Sequence, residues 1–105
     1  MGQFVPQALS NMARAYAKVN VSHPHLFKKV ANDILIRDFK IFKPQELSNI
    51  VWAYATAGEF SPRLSKPLSD HIVQRDFKLF KPQDLSDIVW AYAKLEIPAG
   101  FFSRL

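Results

Sequence analysis

The feature of this sequence that most restricts its fold is an internal repeat with a period of 38 residues. The segment FKPQELSNIVWAYA, from Phe42 to Ala55, returns as FKPQDLSDIVWAYA from Phe80 to Ala93. A weaker third copy precedes them and keeps the matching residues Phe4, Pro6, Gln7, Leu9, Ser10, Asn11, Ala13, Tyr16 and Ala17. The units are therefore residues 4–41, 42–79 and 80–105, and the last is a truncated unit of about two-thirds length.

Each unit is predicted to contain two helices, and the second unit shows the signals of the first helix. Pro44 suits the first helical position, Glu46 complements the positive helix end, and Gly58 can adopt the left-handed conformation that ends a helix. We therefore expect a helix over about residues 44–57. Its buried stripe, at i, i+3, i+4 and i+7 spacing, consists of Leu47, Ile50, Val51 and Tyr54.

The second helix is expected to open at Ser61-Pro62, a cap residue followed by proline. Its apolar side carries Leu64, Leu68 and Ile72, and the first unit has His23-Pro24 followed by Leu26, Val30 and Ile34. Pro67 conflicts with this interpretation, because a proline inside a helix costs about 3 kcal/mol. The helix is therefore expected either to kink at Pro67 or to start later.

Helix pairs with apolar stripes must stack on one another to cover those stripes, which predicts an all-α fold of the α-solenoid type. We expect one helical-repeat domain over residues 1–105, within a longer array because the third unit stops at Leu105. Arg14 replaces Trp52 and Trp90, as an exposed position in a first unit would tolerate, so the array is expected to begin near Met1. No apolar run reaches the roughly 18 residues of a membrane-spanning helix, so no membrane-spanning helix is expected.

The two-helix unit, with its proline-led first helix and its Trp-Ala-Tyr-Ala core, resembles the octotricopeptide repeat. It is also similar to the related repeats found beside RAP domains in organelle proteins. The resemblance covers nearly the whole chain. It implies binding of single-stranded RNA in a chloroplast or mitochondrion, with a role in RNA processing, stability or translation, or in holding ribosomal RNA.

Helical repeats that bind RNA read one base per repeat with two or three side chains of the same helix. The first helices carry a polar row beside the core stripe, which we predict to face RNA bases: Gln7, Asn11 and Lys18; Gln45, Asn49 and Thr56; Gln83, Asp87 and Lys94. Amides and carboxylates can pair with base edges. The alternative interpretation is a solvated helix face, because these residue types also favour the first helical turn.

Lysines recur where one unit meets the next, beside the start of a first helix. Lys40, Lys43, Lys78 and Lys81 are predicted to face phosphates along a basic ridge. The net charge of +5 favours a polyanionic partner. The alternative is that the lysines solubilise the turn around two buried phenylalanine pairs, Phe39 with Phe42 and Phe77 with Phe80.

Two further groups are assigned to structure. Trp52 and Trp90 lie in a tight Ala-rich helix, and we expect them in the core, packed between units. The pairs Arg37-Asp38 and Arg75-Asp76 are expected to orient the turns through local ion pairs or caps, since exposed pairs contribute at most about 1 kcal/mol.

Catalysis is not expected, because the sequence has no Gly-rich phosphate loop, no nucleophile elbow and no paired carboxylates in an acid/base arrangement. It has no cysteine, and His23 and His25 lack the further ligands of a closed zinc site, so we predict neither metal nor cofactor. The alternative to RNA binding is a protein-protein scaffold or an accessory subunit of a large organellar complex.

Overall fold

The computed structural model describes residues 5–19 and 24–95. This part of the chain forms five α-helices and no strand, so the all-α prediction is confirmed. The helices are α1 (Pro6–Lys18), α2 (Pro24–Leu35), α3 (Pro44–Ala57), α4 (Pro62–Ile72) and α5 (Pro82–Lys94). Two 3-10 segments, Phe39–Ile41 and Phe77–Leu79, lie at the junctions of the sequence units. The second helix expected for the third unit lies outside the described residues, as does His23.

Helix α3 has the predicted bounds, because its two punctuating residues act as expected. Pro44 is its first residue, and Gly58 ends it with a left-handed φ of 73°. The main-chain N–H of Lys43 donates to the Glu46 carboxylate over 2.8 Å, and the N–H of Lys81 donates to Asp84 over 3.1 Å. A carboxylate therefore satisfies a free N–H at the start of both α3 and α5.

Helix α4 begins at Pro62 and continues through Pro67, so the prediction of a later start is wrong. Pro67 has no N–H, so the Arg63 carbonyl cannot receive its usual helical hydrogen bond. Burial of Leu64, Leu68 and Ile72 on the core side offsets that loss. Ser61 precedes the helix, but its side chain makes no capping hydrogen bond.

The first helices of the three units pack side by side, α1 against α3 and α3 against α5. The predicted stripe of α3 is fully buried, with Leu47, Ile50, Val51 and Tyr54 at most 1% exposed. The Tyr54 hydroxyl donates to the Phe27 carbonyl over 2.6 Å, and the Tyr92 hydroxyl donates to the Ser65 carbonyl over 2.7 Å. These contacts repeat at an offset of 38 residues and connect α3 and α5 each to the second helix of the unit before it.

At the junctions between units, the aspartates of the Arg-Asp pairs act as caps, while Arg37 forms an ion pair with Asp33 of α2 at 3.0 Å. Asp38 accepts from the Lys40 N–H and Asp76 from the Lys78 N–H, each over 3.0 Å, so the predicted capping role of the aspartates is confirmed. Arg75 acts over a longer range than expected. Its Nη2 donates to the carbonyls of Phe39 at 2.9 Å and Phe42 at 2.7 Å, which lie in the preceding junction.

Candidate nucleic-acid interface

Six of the predicted base-facing residues form a row across the three first helices, which we call the polar edge: Gln7, Asn11, Gln45, Asn49, Gln83 and Asp87. Each helix contributes two of them, four residues apart, so that both lie on the same face. The glutamines and Asn11 are exposed, whereas Asn49 and Asp87 are half-buried. Because the helices pack side by side, residues from different units lie next to each other.

A cleft of about 130 Å³ lies on this edge between α1 and α3. Its lining is polar and comprises Gln7, Ser10, Asn11, Lys43, Gln45, Glu46 and Asn49. Four of these are members of the polar edge, and Lys43 belongs to the predicted phosphate-facing set. The structure therefore brings amides from two units and a basic side chain to one concave surface, where they can serve as donors and acceptors.

Protein side chains hold the two half-buried members of the edge in place. Arg14 Nη1 donates to Asn49 Oδ1 over 2.8 Å and lies 3.7 Å from Asp87 Oδ2, so it connects all three units. Gln83 Nε2 donates to Asp87 Oδ1 over 2.8 Å. The bond from Arg14 uses only the carbonyl oxygen of Asn49, so the two amide N–H donors of Asn49 take no part in it.

Arg14 also begins a row of stacked cations and rings. Its guanidinium lies 4.3 Å from the centre of the Trp52 ring, and the rings of Trp52 and Trp90 are 6.5 Å apart and tilted by 30°. The Lys94 ammonium lies 5.2 Å from the centre of the Trp90 ring. Arg14 is therefore a half-buried partner of its neighbours, whereas the sequence predicted an exposed end residue.

The tryptophans pack between units as predicted, but the core placement of Trp90 is wrong, since 45% of this residue is exposed. Trp90 forms part of the surface beside the polar edge. The sequence carried one signal of this arrangement. A cation occupies the tryptophan position of the first unit, and Lys94 follows Trp90 by one helical turn.

The last predicted base-facing position differs among the units. Lys18 and Lys94 are exposed, and Lys94 is directed to Trp90. The Thr56 hydroxyl is buried and has no hydrogen-bond partner in the described part of the chain. This position therefore does not continue the polar edge as an exposed row at α3.

All four predicted phosphate-facing residues, Lys40, Lys43, Lys78 and Lys81, are exposed at the junctions. The helix ends beside them are already neutralised, because Glu46 and Asp84 accept the main-chain N–H groups of Lys43 and Lys81. Any attraction of phosphate here depends on the lysine ammonium groups. The alternative interpretation, in which these lysines solubilise turns around buried phenylalanine pairs, also agrees in part with the structure. Phe42 and Phe80 are buried, and Phe39 and Phe77 are half-buried.

The titratable groups with shifted pKa values lie away from the polar edge. Burial raises the pKa of Tyr54 and Tyr92 above the ordinary value of 10.0, so both hydroxyls stay protonated and can donate. Burial lowers the pKa of His71, and Arg75 lowers it further, against the opposing effect of Asp38. Within the described residues no group of three or more His, Cys, Asp or Glu side chains is placed to hold a metal ion.

In residues 5–19 and 24–95, no helix combines the length and the apolar character needed to cross a membrane. Comparisons of the chain with protein families, with curated proteins and with solved structures found no match. The class that the structure itself defines is an all-helical protein with a polar edge across three neighbouring helices.

Proposed function

We propose that this chain forms an α-solenoid that holds single-stranded RNA along its polar edge. The contacts that recur at an offset of 38 residues support the solenoid, because stacking of like units produces such repetition. The resemblance to octotricopeptide repeats supports RNA as the ligand and a chloroplast or mitochondrion as the location. In this proposal the chain binds and positions RNA and carries out no catalysis.

The cleft between α1 and α3 is the observation that carries the proposal. Amide side chains from two successive units meet there, with Lys43 at the same surface. Bases of single-stranded RNA expose their hydrogen-bonding edges, which amides and carboxylates can read. Duplex RNA presents mainly its backbone and its shape. The polar edge therefore favours a single strand.

A direct test is fluorescence anisotropy with a degenerate single-stranded RNA pool and a duplex of equal length, at low and at physiological salt. The proposal predicts preferential single-strand binding that weakens with salt and remains measurable at physiological salt. Equal binding to both RNAs that disappears with salt would leave only the attraction of a basic surface, and would contradict the proposal.

Base reading can be tested without changing charge or fold by exchanging Asn49→Asp and Asp87→Asn in one variant. Asn49→Asp keeps the oxygen that accepts from Arg14, and Asp87→Asn keeps an oxygen that can accept from Gln83. The total charge is unchanged, because the carboxylate beside Arg14 moves from position 87 to position 49. We expect base preference, measured by selection from the pool, to change while total affinity stays within a few-fold. An unchanged preference would show that these positions do not read bases.

The second candidate function is a protein-protein scaffold or accessory subunit in an organellar complex. It is favoured by the large apolar residues that are exposed: Ile41 and Leu79 at the junctions, and Val89 and Trp90 on α5. Val89 and Trp90 are adjacent on α5, and adjacent exposed apolar groups commonly mark sites of protein contact. A scaffold predicts that the anisotropy experiment detects no preference for single strands.

A further inference from the structure

Each first helix has a face that contacts the next first helix along the chain. On α1 this face includes Ser10 and Ala17, which are 0% and 6% exposed, and on α3 it includes Ser48 and Ala55, 1% and 2% exposed. Ser48 shows that this face of α3 is directed toward α5, because its hydroxyl donates to Asp87 Oδ2 on α5 at 3.5 Å. Small residues here let the helices approach closely.

The matching face of α5 is exposed. Ser86 and Ala93 occupy the positions of Ser48 and Ala55, and both are exposed. Trp90 lies between them and is 45% exposed, and Val89 is 37% exposed although its counterpart Val51 is fully buried. We call these four residues, Ser86, Val89, Trp90 and Ala93, the α5 outer face.

The other side of α3 and of α5 contacts the preceding first helix, which is α1 for α3 and α3 for α5. Ala53 and Ala91 are fully buried on that side of α3 and α5. Their counterpart Ala15 is exposed, and the neighbouring Ala8 and Met12 are half-buried. These three residues form the α1 outer face. It is the surface that a preceding first helix would cover.

We infer that the chain associates head to tail, with the α1 outer face of one molecule on the α5 outer face of a second copy. The proposed contact continues the α1–α3 and α3–α5 interfaces, which join the same two faces within the chain. It rests on the repeat architecture proposed above and is independent of RNA binding.

The side chains at the proposed contact are complementary. None of the seven residues of the two outer faces is charged, so the contact between these residues requires no buried charge. Trp90 would meet Arg14 of the second copy at the position where Trp52 meets Trp90 between α3 and α5, with Arg14 in place of the second tryptophan. Arg14 would then lie between two tryptophan rings. Lys94, which now lies over Trp90, has a flexible stem that can turn toward solvent.

The symmetry of this contact determines what would be observed. The two faces are different surfaces, so one molecule can bind a second copy at each end. Association is then open-ended, and each added molecule lengthens the polar edge. A contact made mainly by one helix face is smaller than a standard interface, so we expect weak association.

The first measurement is sedimentation equilibrium of the full chain without RNA. The concentrations extend to about 1 mM, which corresponds to the weak end of specific affinities. The expected result is a weight-average mass that rises continuously above the 12.0 kDa of one chain and passes beyond the dimer. A mass that stays at 12.0 kDa throughout would overturn the inference.

Two single variants block one end each. Ala15→Arg places a charge on the α1 outer face, and Ser86→Arg places one on the α5 outer face. Both sites are exposed in helices, where arginine is well accepted, and Ala93→Arg serves as a second α5 variant if Ser86→Arg does not fold. Gln74→Arg adds the same charge at an exposed position outside both faces and is the control.

Each blocked variant should remain monomeric alone, and Gln74→Arg should associate like the parent chain. An equimolar mixture of Ala15→Arg and Ser86→Arg should form a dimer and nothing larger, at twice 12.0 kDa, because one intact pair of faces remains. Association that persists in both blocked variants, or a mixture that stays monomeric, would overturn the head-to-tail contact. RNA plays no part, so these outcomes are separate from failure of the RNA proposal.

Discussion

The buried hydroxyls of Tyr54 and Tyr92 each connect one unit to the unit before it. Each donates to a main-chain carbonyl in the first turn of the preceding unit's second helix, at Phe27 for Tyr54 and at Ser65 for Tyr92. The rings add to the same contact, since Phe27 meets Tyr54 edge-on at 5.1 Å and Phe60 meets Tyr92 at 5.2 Å. Each tyrosine therefore supplies both apolar ring packing and a directional hydrogen bond between neighbouring units.

Replacing the hydroxyl alone should cost little more than one hydrogen bond. We expect Tyr54→Phe to lower the free energy of unfolding by about 1 kcal/mol, because a carbonyl within a helix keeps its main-chain partner. Tyr92→Phe should lower it by more, since Ser69 is a second hydrogen-bond partner of the Tyr92 hydroxyl. Urea unfolding followed by circular dichroism measures the change. The two effects should add in the double variant, and a loss above about 3 kcal/mol would indicate an unsatisfied buried group instead.

His71 should make stability depend on pH. Its Nε2 accepts from Arg75 Nε over 2.9 Å, which requires the neutral ring, and its pKa in the folded state lies below the ordinary 6.5. The unfolded chain therefore takes up the proton first. The contribution of His71 is fully present above about pH 6.5 and is lost as pH falls through the lower, folded-state pKa.

The test compares the parent chain with His71→Gln, whose amide oxygen can also accept from Arg75 but does not titrate. Between pH 7 and pH 5 we expect the parent to lose more stability in urea unfolding than the variant. His23 and His25 are present in both proteins, so their effects cancel in the comparison. Parallel pH profiles would contradict the assigned role of His71.

At the scale of elements, the ends of the helices illustrate what a sequence can predict. Pro44 and Gly58 act through their own backbone restrictions, so both ends of α3 were readable. The 3-10 segments at Phe39–Ile41 and Phe77–Leu79 were not foreseen, because three residues carry no periodicity. The continuation of α4 through Pro67 was one of two alternatives that the sequence left open, and burial of Leu64, Leu68 and Ile72, which only the structure shows, favours it over a later start.

Gly58 offers an element-scale prediction. A Cβ at this position would meet no atom within 4 Å, so substitution costs only backbone strain at the φ of 73°. We expect Gly58→Ala to lower the free energy of unfolding by about 1 kcal/mol and Gly58→Asn by less, since asparagine tolerates this conformation better. Ser61→Ala is the control and should have almost no effect, because Ser61 makes no capping bond. Equal losses in all three would contradict this account.

At the scale of the whole molecule, the candidate nucleic-acid interface depends on which helices lie next to one another. The composition of the polar edge was predictable, because its residues recur at fixed positions of each unit. Its connections were not, since Arg14 reaches Asn49 and Asp87 only once three helices are stacked. The exposure of Trp90 depends in the same way on what covers α5, which a pattern within one unit cannot reveal.

Lysines lie both beside the polar edge and on the second helices, which allows the location of RNA binding to be tested. Lys43 and Lys81 flank the first helices beside the polar edge, whereas Lys28 and Lys66 occupy matching exposed positions on α2 and α4. Changing either pair to alanine lowers the net charge of +5 by two. The two double variants are therefore equal in charge and differ only in the surface that loses it.

If RNA follows the polar edge, only the Lys43→Ala, Lys81→Ala double variant should weaken binding to all single-stranded sequences alike. Each lost phosphate contact reduces the slope of log affinity against log salt by about 0.7, hence by about 1.4 for two contacts. The Lys28→Ala, Lys66→Ala double variant should keep the parent slope within error. Equal reductions in both variants would mean that RNA responds to total charge, and would contradict a path along the polar edge, where Lys43 lines the cleft.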